Sequence, residues 1–175
     1  MQQELTNSGS IARTKASEKK QFLRLYLEPK TTIMLPIEQI TEVLKISLNK
    51  IVPIPQMPHY IMGVYNWRGE ILWTADLGKL LGLNSWQQQN LDSNHTTMII
   101  ISFPSKSRAK SMYKKSLGLI VNKIEDIEWC DPELIKPPPS SAINTALASF
   151  VSGCWIQSEN VSLILNGNSI IDFVK

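Results

Sequence analysis

Short apolar runs constrain the fold of this 175-residue chain more than any other feature. From Gln21 onwards, runs of four to eight apolar residues are interrupted by Pro, Gly or Asn about every ten residues. Such runs with regular turn signals are typical of strands in closed or sandwiched sheets, whereas amphipathic helices need longer periodic segments. The sequence therefore predicts a mostly β protein, either a barrel or a sandwich.

The predicted strands form two sets of five, separated by a polar stretch from Asn84 to His95 that is expected to link two halves of the fold. A second polar segment, 105–116, carries five cations and is expected to be an enlarged hairpin loop. Residues 1–20 lack hydrophobic periodicity and are expected to be a disordered tail. The predicted strands cover residues 21–28, 31–36, 38–47, 62–67, 70–75, 96–103, 117–124, 125–129, 148–157 and 161–166.

Few and short helices are predicted. Asp76 can cap the run that follows it and Gly82 is suited to end that run, which predicts a helical turn over 76–82. A second helix is predicted to begin at 57–58, because proline fits a first helical position, and a third to cover 169–173.

Composition narrows the class of protein. An apolar content of 43% supports one domain with its own core, and the mild net charge of +3 argues against a dedicated nucleic-acid domain. Cys130 and Cys154 are 24 residues apart without a paired ligand spacing, so no metal and no cofactor are predicted. The N-terminus has no apolar signal core and no apolar run is long enough to span a bilayer, which predicts a cytoplasmic protein.

The most distinctive motif runs from Gly63 to Leu83, where two apolar runs flank an Asn-x-Arg-Gly turn and lead into the capped helix. Asn66 and Gly69 are turn residues by their chemistry, and Arg68 brings a permanently charged, five-donor group to the tip of a hairpin. Because an arginine in a turn can meet a carboxylate, the motif indicates recognition rather than catalysis.

This motif resembles the signature of the CheW-like coupling proteins of bacterial sensory signalling, a Gly-Val-x-Asn-x-Arg-Gly segment followed by a strand ending in Asp-Leu. The resemblance extends over roughly residues 20 to 175. The further segments that match in the same order are 22–27, 35–43, 54–58, 118–124, 137–139 and 161–165.

The resemblance implies a CheW-like fold of two side-by-side five-stranded SH3-like β-barrels with a few short helices, forming one domain over 21–175. The first barrel is expected to comprise about 31–83 plus the N-terminal or C-terminal strand, and the second about 96–166. Composition and periodicity alone predict neither the number of barrels nor their boundaries.

The resemblance also implies a function. The chain would be a non-enzymatic adaptor that couples the cytoplasmic tip of a methyl-accepting chemoreceptor to the regulatory domain of a CheA-type histidine kinase, in two-component signalling that controls chemotaxis, phototaxis or type IV pilus motility. A groove between the barrels would take the helical hairpin of the receptor, and an apolar barrel face would take the kinase, through residues that the sequence leaves unassigned. The protein would be recruited to membrane-associated receptor arrays without entering the membrane, and no nucleic-acid partner is expected.

Eight residues are carried over as a receptor-binding set. The resemblance implies that Arg68 pairs with Glu42, while the alternative is a solvated Arg and an unrelated Glu. The other members also have plainer alternatives. Gly63 and Gly69 can serve backbone geometry alone, Asn66 can merely close an Asx turn, and Ile127 of the second barrel can belong to the core. The set is Ile40, Glu42, Gly63, Asn66, Trp67, Arg68, Gly69 and Ile127.

Trp67 stands where CheW-like proteins more often carry Leu. Together with Trp73, Trp129 and Trp155 it falls in a predicted strand, and tryptophans of this kind are expected in the core. An exposed Trp67 beside the Arg68 turn would instead be a natural interface anchor.

Three other functions are possible for such a sequence. An enzyme would need a catalytic constellation, but the sequence has no phosphate-binding Gly-rich loop, no Gly-x-Ser-x-Gly and no His-Glu-x-x-His, and its two histidines, His59 and His95, are 36 residues apart. A nucleic-acid-binding β-barrel could act through the basic loop 106–115, which is otherwise a solvated hairpin tip. A CheW-like protein that has lost receptor binding would serve the kinase alone.

Overall fold

The computed structural model describes residues 18–27, 31–84, 94–105, 113–157 and 160–174. In these ranges α-helices are short and few: α1 (Leu77–Leu80), α2 (Thr145–Ala148) and α3 (Gly167–Phe173), with 3₁₀ turns over Ile37–Gln39, Leu48–Lys50, Pro132–Leu134 and Ser140–Ala142. Eleven strands make up most of the rest, so the predicted mostly β fold is confirmed. The strands are β1 (Lys20–Leu27), β2 (Thr31–Pro36), β3 (Ile40–Ser47), β4 (Ile51–Val52), β5 (Ile61–Trp67), β6 (Glu70–Asp76), β7 (His95–Ser105), β8 (Tyr113–Val121), β9 (Lys123–Cys130), β10 (Val151–Gln157) and β11 (Asn160–Leu165).

Two curled sheets form the two barrels. The five-stranded sheet has the order β10-β11-β2-β1-β9, and the six-stranded sheet has the order β3-β7-β8-β6-β5-β4. Most neighbours are antiparallel, but β11 pairs with β2 and β8 pairs with β6 in parallel. The CheW-like architecture of two small barrels is therefore confirmed, with one sheet a strand larger than expected.

The strands are shared between the barrels differently from the expected division at about 31–83 and 96–166. The chain segments 20–36 and 123–165 build the five-stranded sheet, while 40–121 builds the six-stranded one. The reason lies in long-range pairing: β2 aligns with β11 from the far end of the chain, and β7 and β8 insert between β3 and β6. The polar stretch after α1 consequently connects two parts of the same sheet.

The buried apolar side chains of the described residues form three clusters. The largest cluster joins the two sheets, with side chains such as Leu25 and Ile33 from one sheet packed with Ile99 and Leu119 from the other. A smaller cluster fills the six-stranded barrel around Met98 and Ile100, and another fills the five-stranded barrel around Phe22 and Met34. Alternate residues of β7 therefore point into the shared core and into the barrel, because successive side chains of a strand face opposite sides. This explains the uninterrupted apolar run 98–101, which is buried on both faces.

The predicted helices are partly confirmed. Asp76 accepts a hydrogen bond from the backbone N–H of Lys79 at 3.2 Å and caps α1, and Gly82 adopts a φ of +69° just after it. α3 lies where the third helix was predicted, beginning two residues earlier, at Gly167. α2, capped by Asn144, was not predicted.

The helix predicted at 57–58 is wrong. The backbone N–H of Ile61 bonds to the carbonyl of Pro58 at 2.8 Å, which closes a turn directly before β5. Prolines at 53, 55 and 58 also disfavour the helical conformation of the residues before them.

Other boundaries shift by a few residues. The predicted break between 124 and 125 lies instead at Asn122, between β8 and β9, and the strand predicted from 148 begins at Val151 because α2 precedes it. The two-residue strand β4 was not predicted. The predicted tail over 1–20 lies outside the described residues except for 18–20. Of the polar stretch 84–95 and the hairpin loop 105–116, residues 85–93 and 106–112 lie outside them, while His95 and Ser105 belong to β7 and 113–116 belong to β8.

Candidate functional site

The Arg68 turn is a tight hairpin between β5 and β6. Trp67 and Glu70 are directly paired, so Arg68 and Gly69 form a two-residue loop. Both have positive φ, +55° and +86°, which is the pattern of a type I′ turn. Asn66 closes the turn by accepting the backbone N–H of Gly69 on its side-chain oxygen at 3.0 Å. The turn predicted from the Asn-x-Arg-Gly motif is thus present, with the arginine in a conformation that glycine or asparagine would adopt more readily.

Glu42, Trp67 and Arg68 form one cluster, which we call the Glu42 clasp. The indole Nε1 of Trp67 donates to Oε2 of Glu42 at 2.8 Å, and Nη2 of Arg68 donates to the same oxygen at 3.1 Å. The guanidinium also lies 5.4 Å from the centre of the Trp67 ring, within range of a cation–π interaction. The Arg68–Glu42 pair implied by the resemblance is therefore present, but it is monodentate, and Trp67 donates to the same carboxylate oxygen.

Electrostatics favour the ionised form of Glu42. The Trp67 hydrogen bond is the main cause that lowers the pKa of this carboxyl, and the Arg68 hydrogen bond and charge act in the same direction against a partial desolvation. The side chain of Glu42 is 26% exposed, whereas that of Arg68 is 71% exposed. The clasp thus holds a carboxylate under a cation that is largely open to solvent.

The clasp also joins distant strands. Glu42 lies on β3 and Trp67 on β5, which stand four places apart in the sheet order. Contact between their side chains requires the sheet to curl, so the clasp helps to close the barrel. A bulge in β3 contributes, because the register with β7 shifts between Ile40 and Glu42 and leaves Thr41 as the extra residue.

Gly63 is buried and has a structural role. Its φ is +139°, and a Cβ built on it would lie 2.1 Å from the carbonyl oxygen of Val52. The register between β5 and β6 shifts at this position, and the hydroxyl of Thr74 donates to the Gly63 carbonyl at 3.0 Å. The interpretation of Gly63 as a backbone requirement is therefore the one that the geometry supports.

The remaining carried-over residues lie apart from the clasp. Ile40 is half-buried and packs on the shared core. Ile127 lies on β9 in the other sheet and is 48% exposed, so the alternative that it belongs to the core is wrong. The expectation that strand tryptophans are buried is also wrong for Trp73 and Trp129, which are 39% and 58% exposed. Alternation in a strand does not tell which face a large side chain takes until the sheet partners are known.

A groove of about 610 Å³ lies beside the clasp. All the residues that line it belong to the six-stranded sheet and its β5–β6 turn, so this groove is bounded by one barrel, and the predicted inter-barrel groove stays a prediction. Five of its seven lining residues are outside the carried-over set. Glu70 directly follows the turn, whereas the other four reach the groove only through strand pairing. The lining residues are Thr41, Trp67, Arg68, Glu70, Ser102, Lys114 and Ser116.

Other kinds of site find no support in the described ranges. No cluster of three or more His, Cys, Asp or Glu side chains that could hold a metal ion occurs there. No helix in this part of the chain has the length and apolar character needed to cross a membrane. Of the basic loop 106–115, the described residues are the β8 members, where Lys114 is exposed and Lys115 pairs with Asp172 at 3.8 Å.

Comparisons with known proteins agree on the family. The chain is similar to a protein of Rhizobium etli described as a probable chemotaxis protein CheW, with 30% identity over 86 residues that span 49% of this chain and 47% of the relative, about half the length of each. Its structure is similar to the crystal structure of the scaffolding protein TtCheW from Thermoanaerobacter tengcongensis, with a TM-score of 0.66 and 26% identity over 85% of this chain and 89% of that one. Because the family model for the CheW-like domain matches residues 21–175 as well, the chain belongs to the CheW-like family.

Proposed function

We propose that this protein is a non-enzymatic adaptor that couples the cytoplasmic tip of a methyl-accepting chemoreceptor to the regulatory domain of a CheA-type histidine kinase. Family membership supports this proposal, as do the descriptions of its relatives as a chemotaxis protein and a scaffolding protein. The observation that carries it is the Glu42 clasp, which presents an exposed arginine on a rigid hairpin above a groove. Such a preorganised surface loses little freedom when a partner binds.

The receptor is assigned to the side of the molecule that carries Arg68. The positive φ of Arg68 and the Asn66 hydrogen bond fix the turn, and Glu42 orients the guanidinium. Arginine in a fixed position suits recognition because its donors form a planar fork. Six of the eight carried-over residues are kept on the receptor surface with distinct roles: Arg68 and Trp67 contact the receptor, Glu42 positions them, and Gly63, Asn66 and Gly69 hold the backbone. Ile40 and Ile127 lie apart from the clasp and receive no receptor contact in this proposal.

The kinase is assigned to an exposed apolar face. Two pairs of large apolar side chains are exposed at alternate positions of a strand, Ile71 with Trp73 on β6 and Ile127 with Trp129 on β9. Alternate residues share a face, so each pair forms a small apolar patch. Trp73→Thr and Trp129→Thr, tested separately for kinase capture, assign the kinase to one patch. Kinase capture at the wild-type level by both variants would contradict an apolar kinase contact at either patch.

In a cell the adaptor would be cytoplasmic and recruited to membrane-associated receptor arrays. Its output would be motility, through chemotaxis, phototaxis or type IV pilus movement. Deleting the gene and scoring swimming, light-directed and twitching motility would show which of the three outputs depends on this chain.

The experiment that tests coupling is a pull-down of the purified protein against a receptor signalling tip and a kinase regulatory domain from the same cell. Arg68→Gly is a sharper variant than Arg68→Ala, because glycine accepts the positive φ of +55° and leaves the turn intact. The wild type should capture both partners, and Arg68→Gly should lose the receptor while keeping the kinase. Kinase capture serves as the internal control for folding.

Each outcome has a distinct meaning. Capture of the kinase alone by the wild type would support the kinase-only alternative. Capture of neither partner would refute the adaptor function. Equal receptor capture by the wild type and Arg68→Gly would keep the adaptor but remove Arg68 from the receptor surface.

A further inference from the structure

The groove beside the clasp has the chemistry of an anion site. Three of its lining residues are hydroxyl-bearing, two are cations and one is an acid. The cations are Arg68 and Lys114, both exposed, and the acid is Glu70 at the start of β6. Hydroxyls and two cations lining one groove are suited to bind a carboxylate, which needs several donors around its two oxygens.

Strand pairing brings Lys114 to the groove. Lys114 and Ser116 alternate along β8 and line the groove together, while Lys115 points to the other side and pairs with Asp172 at 3.8 Å. Ser116 lies opposite Ser102 on β7, and their hydroxyls are hydrogen-bonded at 2.7 Å. One hydroxyl of this pair must donate to the other, so a single hydroxyl hydrogen is left to reach an incoming acceptor.

Trp67 lets Arg68 act on a ligand. Both donate to the same oxygen of Glu42, but the Trp67 bond is shorter and part-buried, while the guanidinium is 71% exposed. If Arg68 turns towards a ligand, Glu42 keeps its indole donor and is not left unpaired. In a chain with leucine in place of Trp67, the same movement of Arg68 would leave the Glu42 carboxylate without the indole donor.

We propose that this groove binds a carboxylate side chain of the docking partner, through Arg68 and Lys114 with help from the Ser102–Ser116 pair, and that Trp67 is the positioning residue that frees Arg68 for it. The inference rests on the proposed adaptor function, in which the partner is the receptor tip. It adds that the segment entering the groove carries Glu or Asp there, and that Lys114 contributes to partner choice.

The test uses two soluble helical peptides that differ only in having surface Glu or Gln, added to the full protein labelled with ¹⁵N. The Glu peptide should shift the Arg68 side-chain Nε–H signal, whereas the Trp67 indole signal should stay at its hydrogen-bonded position. The Gln peptide should leave both unchanged. Lys114→Gln should weaken binding of the Glu peptide about threefold, the size expected for one exposed ion pair.

Lys123→Gln is the matched control, because Lys123 is exposed on β9 outside the groove and its replacement removes the same charge. Equal weakening by the two lysine variants would overturn the proposal, since it would indicate bulk charge. Equal binding of the two peptides, or no shift with either, would also overturn it. A larger response of the same signals to a single-stranded oligonucleotide than to the Glu peptide would point to phosphate and reject the carboxylate.

Trp67→Phe tests the positioning role. It removes the indole donor and keeps a ring, so the Glu peptide should bind more weakly because Arg68 must then stay with Glu42. Unchanged affinity would remove Trp67 from the proposal. The peptide assay does not involve the receptor. A failed receptor pull-down together with intact peptide binding would therefore refute the adaptor function and leave the carboxylate site in place.

Discussion

Replacing Gly63 by alanine should destabilise the protein strongly, and Gly69→Ala is its matched control. Gly63 has a φ of +139°, and the added Cβ would lie 2.1 Å from the Val52 carbonyl oxygen and 2.8 Å from Cα of Pro53. These are backbone atoms, which cannot turn away as a flexible side chain would. Gly69 also has a positive φ, +86°, but a Cβ added there would have no neighbouring atom within 4 Å among the described residues.

The two variants separate the cost of a strained backbone conformation from the cost of steric overlap with the Val52 and Pro53 backbone. A strained φ costs about 1–3 kcal/mol and an overpacked site about another 1–3 kcal/mol, so Gly63→Ala should lose about 2–6 kcal/mol of unfolding free energy. Gly69→Ala should lose about 1–2 kcal/mol, from its backbone conformation alone. Since small domains have about 5–15 kcal/mol in total, the first variant approaches the limit of folding.

Urea denaturation followed by tryptophan fluorescence measures both. With a slope of about 2 kcal/mol per molar urea, the midpoint should fall by about 1–3 M for Gly63→Ala and by about 0.5–1 M for Gly69→Ala. Equal midpoints for the two variants would refute the argument from the Val52 overlap. The pair also bears on the receptor set, because a loss of receptor capture by Gly63→Ala would then report unfolding and not a lost contact.

Three further predictions follow from burial and charge. The Trp67 hydrogen bond is the main cause that lowers the pKa of Glu42, so the clasp stabilises the fold above the ordinary pKa of a glutamate and loses that contribution as pH falls through the lowered pKa. Trp67→Phe should shift this loss of stability to higher pH, and an unchanged Glu42 carboxyl titration by NMR would contradict the argument. Burial, with the Glu128 charge, raises the pKa of the Cys130 thiol to about 11, and Cys154 is also buried. Neither thiol should therefore react with a disulfide reagent at pH 8 until the protein is unfolded, and fast labelling of the folded protein would contradict this. Ile100→Ala should cost about 2–5 kcal/mol in the same urea assay, because Ile100 is fully buried in the six-stranded barrel, and a loss below about 1 kcal/mol would show that the site can collapse.

Local chemistry made the β5–β6 hairpin and its helix predictable from the sequence. The Asn66 turn, the Asp76 cap and the Gly82 stop each depend on residues within about four positions of one another. The two-barrel architecture came from the resemblance and not from periodicity, which indicates strands without saying which of them pair.

The parts that could not be predicted depend on contacts between distant segments. β2 pairs with β11 although about 130 residues separate Thr32 from Ser162, and this pairing decides which strands make each barrel. The Trp67–Glu42 hydrogen bond and the approach of Lys114 to the groove need the curled sheet before they can be seen. Prediction from pattern therefore located the turn of the candidate site but missed five of the seven residues that line its groove.

Arg68 is poorly explained by stability, and this strengthens its assignment to binding. A positive φ is unfavourable for a residue with a Cβ, and Asn or Gly would fit the first position of a type I′ turn better. Its ion pair with Glu42 is largely exposed, and exposed pairs contribute little to folding. Glu42 already has the Trp67 donor, so barrel closure does not depend on the guanidinium. What Arg68 adds that a better turn residue would not is an oriented cation above a groove, which is a property that only a partner can use.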